Sequence, residues 1–164
     1  MLTASGRAGD AVRPATAADL PALAGLCAAH AEFERAEPIP DDLAVRLEPA
    51  LFSVPPRLWC LVAERGGELI GYASCSLEFS TWHASEYLHM DCLFVSEQHR
   101  GEGWGSRLLD AVARTAASLG AAEVQWQTPD WNADAIRFYD RAGARALAKR
   151  RYSLPVPGGG VPVP

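Results

Sequence analysis

Lysine is almost missing from this 164-residue chain: Lys149 is the only one, and arginine supplies the other basic side chains. We read that as coding bias rather than mechanism. Positive charge is also the minority sign, with 15 Lys and Arg against 20 Asp and Glu and a formal net charge of −5 at pH 7. Such a balance argues against a nucleic-acid partner. Four cysteines, Cys27, Cys60, Cys75 and Cys92, include no CxxC pair. Three of them sit in apolar runs, where a free buried thiol is expected and a disulfide framework is not. No window has the length of a membrane span, and the opening MLTASGRAGD lacks the apolar stretch of a signal peptide. A cytoplasmic location is the expectation. No internal repeat is present.

Apolar residues make up 49% of the chain and charged residues 21%, ordinary globular usage with enough length for one sizeable core. Residues 1–11 read as a flexible N-terminus, 12–154 as the domain, and 155–164, within PVPGGGVPVP, as a flexible tail. AVRPA reads as a short strand. TAAD, at 16–19, is a capping signature before a helix with Leu20, Leu23, Cys27 and His30 or Ala31 on one face. PDDLAVRLEPAL predicts a second helix. LWCLVAE and ELIGYASCSLEF are strands joined by RGGE, a hairpin with Gly-Gly at its turn. FSTWHASE is a loop, and YLHMDCLFVS is a strand apolar enough to be central. A helix over about 106–119 ends at Gly120. AEVQWQ alternates as a strand. NADAIRFYDRAGA is a short helix that Asn132 can cap and Gly143 follows, and RRYSL reads as a last strand.

Between the central strand and the long helix stand Gly101, Gly103 and Gly105, at every second position. Helix N-terminal N–H groups are unpaired and lie at the positive end of the dipole. Glycines let such donors approach phosphate oxygens with no Cβ in the way. The spacing is G-x-G-x-G, not the G-x-G-x-x-G of dinucleotide sites, and the Gly-Lys-Ser/Thr of a Walker loop is missing. From spacing alone, a tight turn with no ligand is as good an account.

Arg100-Gly101-Glu102-Gly103-Trp104-Gly105 is similar to the R/Q-x-x-G-x-G/A motif of the GNAT family of N-acetyltransferases, and WNADAIRFYDRAGA to that family's second motif. The resemblance covers roughly 12–154. RPATAAD, CLVAE, STW and WN…FYDRAGA most resemble the diamine (spermidine/spermine) N-acetyltransferase branch. The fold implied is a mixed α/β one: a mostly antiparallel twisted sheet with splayed central strands, flanked by helices. The implied reaction is transfer of acetyl from acetyl-CoA to a small primary amine, a polyamine, a diamine or a thialysine-like amino acid, with no metal and by a homodimer. A peptide, a protein N-terminus or an amine drug is the alternative acceptor, and a non-catalytic acyl-CoA sensor is the rival outside enzymes.

The same resemblance implies the roles. Leu93, Phe94 and Val95 line the pantetheine arm, and a backbone N–H there polarises the acetyl carbonyl. Arg100, Gly101, Glu102, Gly103, Trp104, Gly105 and Ser106 hold the pyrophosphate. Asn132, Ala133, Asp134 and Ala135 flank the pantetheine opposite. Tyr139 protonates the departing thiolate; the alternative is an aromatic packed on a helix face. Asp91 stands where the branch has a glutamate facing the amine, and its shorter side chain then needs a water bridge or a longer substrate reach; pairing with an arginine is the other reading. Cys92 takes the place of a second acid. Phe33, Glu34 and Trp82 match substrate contacts, although the loop FSTW lacks an aspartate common there. Gln125, Trp126 and Gln127 lie on the strand beside the cofactor. His89 reads as a hydrogen-bonded strand residue rather than a base.

Overall fold

The computed structural model describes residues 9–159. The flexible ends expected of the sequence lie partly outside those residues, at 1–8 and 160–164. One five-stranded sheet organises the chain, in the order β1 (Ala11–Pro14), β2 (Trp59–Arg65), β3 (Glu68–Ser80), β4 (Ser85–Val95), β5 (Val124–Gln125). The first three pairings are antiparallel and β4 pairs with β5 in parallel. The mixed, mostly antiparallel sheet is the one expected.

Local signals explain most boundaries. Gly66 and Gly67 both take positive φ, 59° and 87°, as the tight turn between β2 and β3 requires. Thr16 and Asp19 form a reciprocal capping box at a 3-10 turn, Ala17–Asp19, that opens α1 (Leu20–Phe33). Asp19 is also bound by Arg13 at 2.7 Å, and Arg13 reaches Glu64 of β2 at 2.8 Å. The Arg13 guanidinium holds the Asp19 carboxyl well below the usual carboxylate range. That network ties the helix entrance to the outer strands.

α1 and α2 (Leu43–Phe52) cover one face of the sheet. Leu20, Leu23, Leu26 and Leu51 pack there against Cys60, Val62, Tyr72 and Phe94. α3 (Trp104–Ser118) covers the other face. Its Leu108, Ala111, Val112 and Ala116 meet Leu61, Ala63, Ile70, Leu88 and Met90. Each fully buried Leu or Val contributes about 1.5–3 kcal/mol relative to exposure, so these two layers carry the fold. α4 (Ala133–Arg141) buries no residue completely and rests on the second layer through Tyr139.

Two irregularities in β4 position everything downstream. Ser74 pairs with Cys92 and Cys75 with Met90, so Asp91 has no partner on β3 and forms a bulge. The face of the strand switches there. Leu88 and Met90 belong to the α3 layer, whereas Cys92 and Phe94 belong to the α1 layer. Second, β4 pairs with β5 only at Leu88↔Val124 and His89↔Gln125. From Met90 to Val95 it has no ladder partner on that side among the described residues, and the strands part.

Several expectations need correction. The FSTWHASE loop is a closed hairpin: β3 runs through Ser80, β4 starts at Ser85, and only 81–84 connect them. α3 begins at Trp104, two residues earlier than expected, because Gly103 serves as its N-cap. AEVQWQ yields only Val124–Gln125 as strand, since the chain leaves β4 at that point. RRYSL forms no strand. Residues 150–154 are exposed, with Tyr152 at 85% and Leu154 at 89%. Alternation of residue types makes a strand only where a partner backbone is in register, and the two-residue β5 offers almost none.

Gly71 on β3 tests the close approach behind the free edge of β4. A Cβ there would lie 2.7 Å from the Phe94 carbonyl oxygen and 3.3 Å from Val95 Cα. Gly71→Ala is expected to force those backbones apart at a cost of about 1–3 kcal/mol. A melting temperature several degrees below the parent, by calorimetry or circular dichroism, is the expected result; an unchanged one refutes the argument.

Candidate functional site

The gap between the free edge of β4 and residues 126–132 is the place where candidate residues converge. A strand edge without a partner presents unpaired N–H and C=O groups. One of them is already used: Arg100 Nε donates to the Val95 carbonyl at 2.9 Å. Beyond β4, Ser96 N–H donates to the Ile70 carbonyl at 2.8 Å and anchors the turn into the glycine loop.

The loop's three glycines do different work. Gly101 and Gly103 have φ of 78° and 86°, and a Cβ on either would meet nothing within 4 Å. Their need is conformational, and the space over them is open. Gly105 has ordinary φ, but a Cβ there would lie 3.4 Å from the Phe138 ring. It lets α3 and α4 approach each other. The motif's side chains turn away from the opening. Arg100 lies over the rings of Phe33 at 4.5 Å and Phe94 at 5.5 Å. Glu102 holds Arg65 at 2.6 Å and accepts from Trp104 Nε1 at 3.3 Å. Trp104 is buried beneath Arg107. Ser106 is exposed in the first turn of α3. What the loop offers outward is backbone N–H at the positive end of a 15-residue helix, a natural anion site.

On the far wall, Asn132 caps α4 by accepting from Ala135 N–H at 3.2 Å. Ala133 is exposed, and Asp134 pairs with Arg137. Tyr139 is half-buried, 5.0 Å from Trp126 and 5.1 Å from Phe138 between ring centroids. Burial, with nearby Glu34 and Cys92, pushes its phenol up to about 12. A phenol so placed keeps its proton at neutral pH. Gln125 donates to Glu123, and Gln127 is exposed.

On the near wall, Leu93 and Val95 pack toward α3, while Phe94 lies under α1. Phe33 meets Trp131 at 6.0 Å across the gap, and Arg35 covers the Trp131 ring at 4.7 Å. Asp91 is exposed at the bulge, and the Cys92 thiol reaches it at 3.7 Å. Burial raises the Cys92 thiol to about 12, so it is a neutral group and not a second acid. Trp82 does not join this cluster. It is 92% exposed at the β3–β4 hairpin tip, beyond Ser85, roughly 20 Å of strand away from Asp91.

The sequence reading passed over three participants. His30 is buried between Tyr72 and Phe94, and Tyr72 is itself buried. Trp131, although exposed, packs its ring near Phe33. For His30 a signal existed: a histidine in an apolar stripe with Glu34 one helical turn on. Trp131 opens the WNADAIRFYDRAGA motif but carries no role of its own there, and nothing in the sequence marks Tyr72.

Comparison with known proteins adds to this geometry. Residues 25–144 match the model of the "Acetyltransferase (GNAT) family". A thialysine N-epsilon-acetyltransferase of Sus scrofa is 30% identical over 106 residues, 60% of this chain and 62% of that enzyme. An L-ornithine N5-acetyltransferase of Arabidopsis thaliana is 36% identical over 73 residues, 44% of this chain and 32% of the enzyme. The chain thus spans less than two thirds of these relatives. A blasticidin-S acetyltransferase of Streptomyces morookaense is 34% identical over 64% of this chain and 73% of its own. Among solved structures, a probable acetyltransferase superposes with a TM-score of 0.76 at 23% identity, covering 89% of this chain and 97% of its own, a likeness of fold. With the glycine loop, the parted strands and the capped α4 all inside the matched residues, the chain belongs to the GNAT family of acetyltransferases.

Proposed function

We propose that this chain transfers the acetyl group of acetyl-CoA to a small cationic primary amine by direct attack. The observation that carries the reading is the gap where β4 and β5 part. It has an open helix N-terminus beside it, a half-buried phenol on one wall and carboxylates on the other. Relatives whose names specify thialysine and L-ornithine as substrates support the amine class.

In this proposal the pyrophosphate lies against the N–H groups of 101–106, which the positive φ of Gly101 and Gly103 orients. The pantetheine runs along β4 at 93–95 with 132–135 opposite. A β4 N–H donates to the acetyl carbonyl, where charge grows as the amine adds. An aliphatic ammonium has a pKa of about 10.4 and must lose a proton first, and Glu34 and Asp91 hold it as a cation near the gap. Collapse of the tetrahedral intermediate breaks the C–S bond; Tyr139 O–H gives the thiolate its proton, and the proton shed by the nitrogen leaves through solvent, which restores the phenol. Homodimerisation and a cytoplasmic location belong to the same proposal, on the resemblance already noted; Leu147, Tyr152 and Leu154 are apolar surface for a second copy to cover.

A free-thiol release assay with acetyl-CoA over a panel of amines tests the reading directly. Diamines and basic amino acids should outperform neutral and anionic acceptors, and Asp91→Asn should lower kcat/KM for the best amine while coenzyme A binding holds. Absence of turnover with coenzyme A still bound makes the chain a sensor instead.

The phosphate cradle has its own test. Gly103→Val places a β-branched residue at a φ of 86°, costing roughly 1–3 kcal/mol in the loop. Coenzyme A affinity, measured by calorimetry on folded protein, should fall about tenfold or more. Gly105→Ala, which meets only the Phe138 ring, should weaken it less. Equal affinities for the parent and Gly103→Val refute the cradle.

Tyr139→Phe removes only the hydroxyl and leaves the ring against Trp126 and Phe138. A positioned general acid contributes about 10² to 10⁴ in rate. The single-turnover rate should fall on that scale with acetyl-CoA affinity little changed. A rate within about twofold of the parent would assign the proton to another donor.

A further inference from the structure

His30 is 9% exposed, in the last turn of α1, yet both of its ring nitrogens are engaged. Nδ1 lies 2.9 Å from the Tyr72 hydroxyl and Nε2 lies 3.3 Å from Glu34 Oε1. The ring stacks on Phe94 at 5.0 Å and 22°, so it cannot turn freely. Donor and acceptor logic fixes its state. A carboxylate only accepts, so Nε2 carries the hydrogen. Nδ1 is then bare and accepts the Tyr72 O–H. Tyr72 is 3% exposed, and burial holds its phenol far above the ordinary range, so it stays a hydrogen-bond donor and releases no proton.

The surroundings set the charge. Glu34 from α1 and Asp91 from β4 favour a protonated imidazole, and Arg100 opposes it. Tyr72 of β3 faces Nδ1, and the thiols of Cys27 and Cys92 face the Tyr72 hydroxyl. Burial is the largest influence and lowers the imidazole below its ordinary 6.5. At neutral pH the ring therefore offers Glu34 a neutral donor and no counter-charge.

We propose that His30, fixed by Tyr72, is a positioning residue that aims Glu34 at the amine and makes amine recognition dependent on pH. The neutral ring leaves an uncompensated carboxylate beside the gap. When the ring takes a proton on Nδ1, the Tyr72 hydroxyl must rotate from donor to acceptor, and Glu34 becomes half of an internal ion pair. Its hold on an external cation is then lost. The inference rests on the reading of Glu34 as a substrate contact.

The sign follows from the direction of the shift. The gating proton is absent at pH 7 and binds only as pH falls below 6.5. A primary aliphatic amine stays cationic across that range, so it contributes no such limb to its own binding. The KM for L-ornithine and for 1,3-diaminopropane should rise as pH falls below 6.5, by about fivefold once the ring is protonated, the scale of one ion pair. His30→Gln keeps an N–H donor for Glu34 but has no titratable site, so its KM should stay flat within about twofold. His30→Leu, lacking the donor, should have the higher KM at every pH. Acetyl-CoA KM should not follow the same profile. Nitrogen-15 NMR of the full chain, with His30 assigned through His30→Gln, should show the Nε2–H tautomer and a midpoint below 6.5 that Glu34→Gln lowers further. Tyr72→Phe should release the tautomer if the His30 variants do not fold. If Glu34→Gln leaves both amine KM values unchanged, or neither amine is acetylated, the Glu34 reading fails and takes this one with it. If Glu34→Gln raises KM while His30→Gln keeps the parent's acid limb, or if the NMR shows Nδ1–H, only the role of His30 is overturned.

Discussion

Asp91 has no ladder partner on β3, and the layout around the gap depends on that extra residue. Without it, Leu88, Met90, Cys92 and Phe94 would all point to one face, as residues two apart on a strand do. With it, Leu88 and Met90 close the α3 layer, and Cys92 and Phe94 close the α1 layer. The strand therefore bends where its β5 edge becomes free. Both consequences serve one end. Backbone donors of β4 become available on one edge, and the face toward α1 brings Phe94 beneath His30 and Phe33. A bulge costs ladder hydrogen bonds, and such features concentrate where a strand must aim something.

The glycine loop illustrates a second division of labour. The motif's side chains hold the loop in place: Arg100 ties it to Val95, Glu102 to Arg65, and Trp104 to the α3 layer. The backbone then faces outward with two residues of positive φ. In the proposed cradle, charge for an anion comes from oriented peptide groups and not from Arg100, which lies over the rings of Phe33 and Phe94. A backbone cradle costs little reorganisation, because its donors are already fixed by side chains that look elsewhere.

Elements with a local cause were legible in the sequence. The capping box at Thr16 and Asp19, the Gly66-Gly67 turn, the Asn132 cap and the order of strands all follow from residues close in the chain. The place of the glycine loop before α3 and of Tyr139 on α4 was legible through motif resemblance. What stayed hidden depends on partners far apart in sequence. The bulge at Asp91 arises from pairing with Ser74 and Cys75, and alternation along β4 alone gives no sign of it. The contact of Phe33 with Trp131 joins segments that only the fold unites. RRYSL failed for the converse reason: its pattern is strand-like, but no strand among the described residues pairs with it.

The amine end of the gap is where burial and charge compete, and burial decides each outcome. The Cys92 thiol and the Tyr139 phenol are both pushed to about 12, so both are neutral in the working range. His30 is driven to neutrality despite two nearby carboxylates. Asp91 is exposed at the bulge, and Glu34 is half-exposed at the end of α1. Carboxylates thus stand at the rim, and the buried groups behind them are proton donors without charge. In the proposed reaction, an incoming ammonium meets its counter-charge at the rim and then faces a neutral interior. Moving inward costs it solvation, and that cost favours loss of the proton before attack. On this account the acids at the rim select the cation, and the neutral groups behind them favour its conversion to the free amine that attacks the thioester.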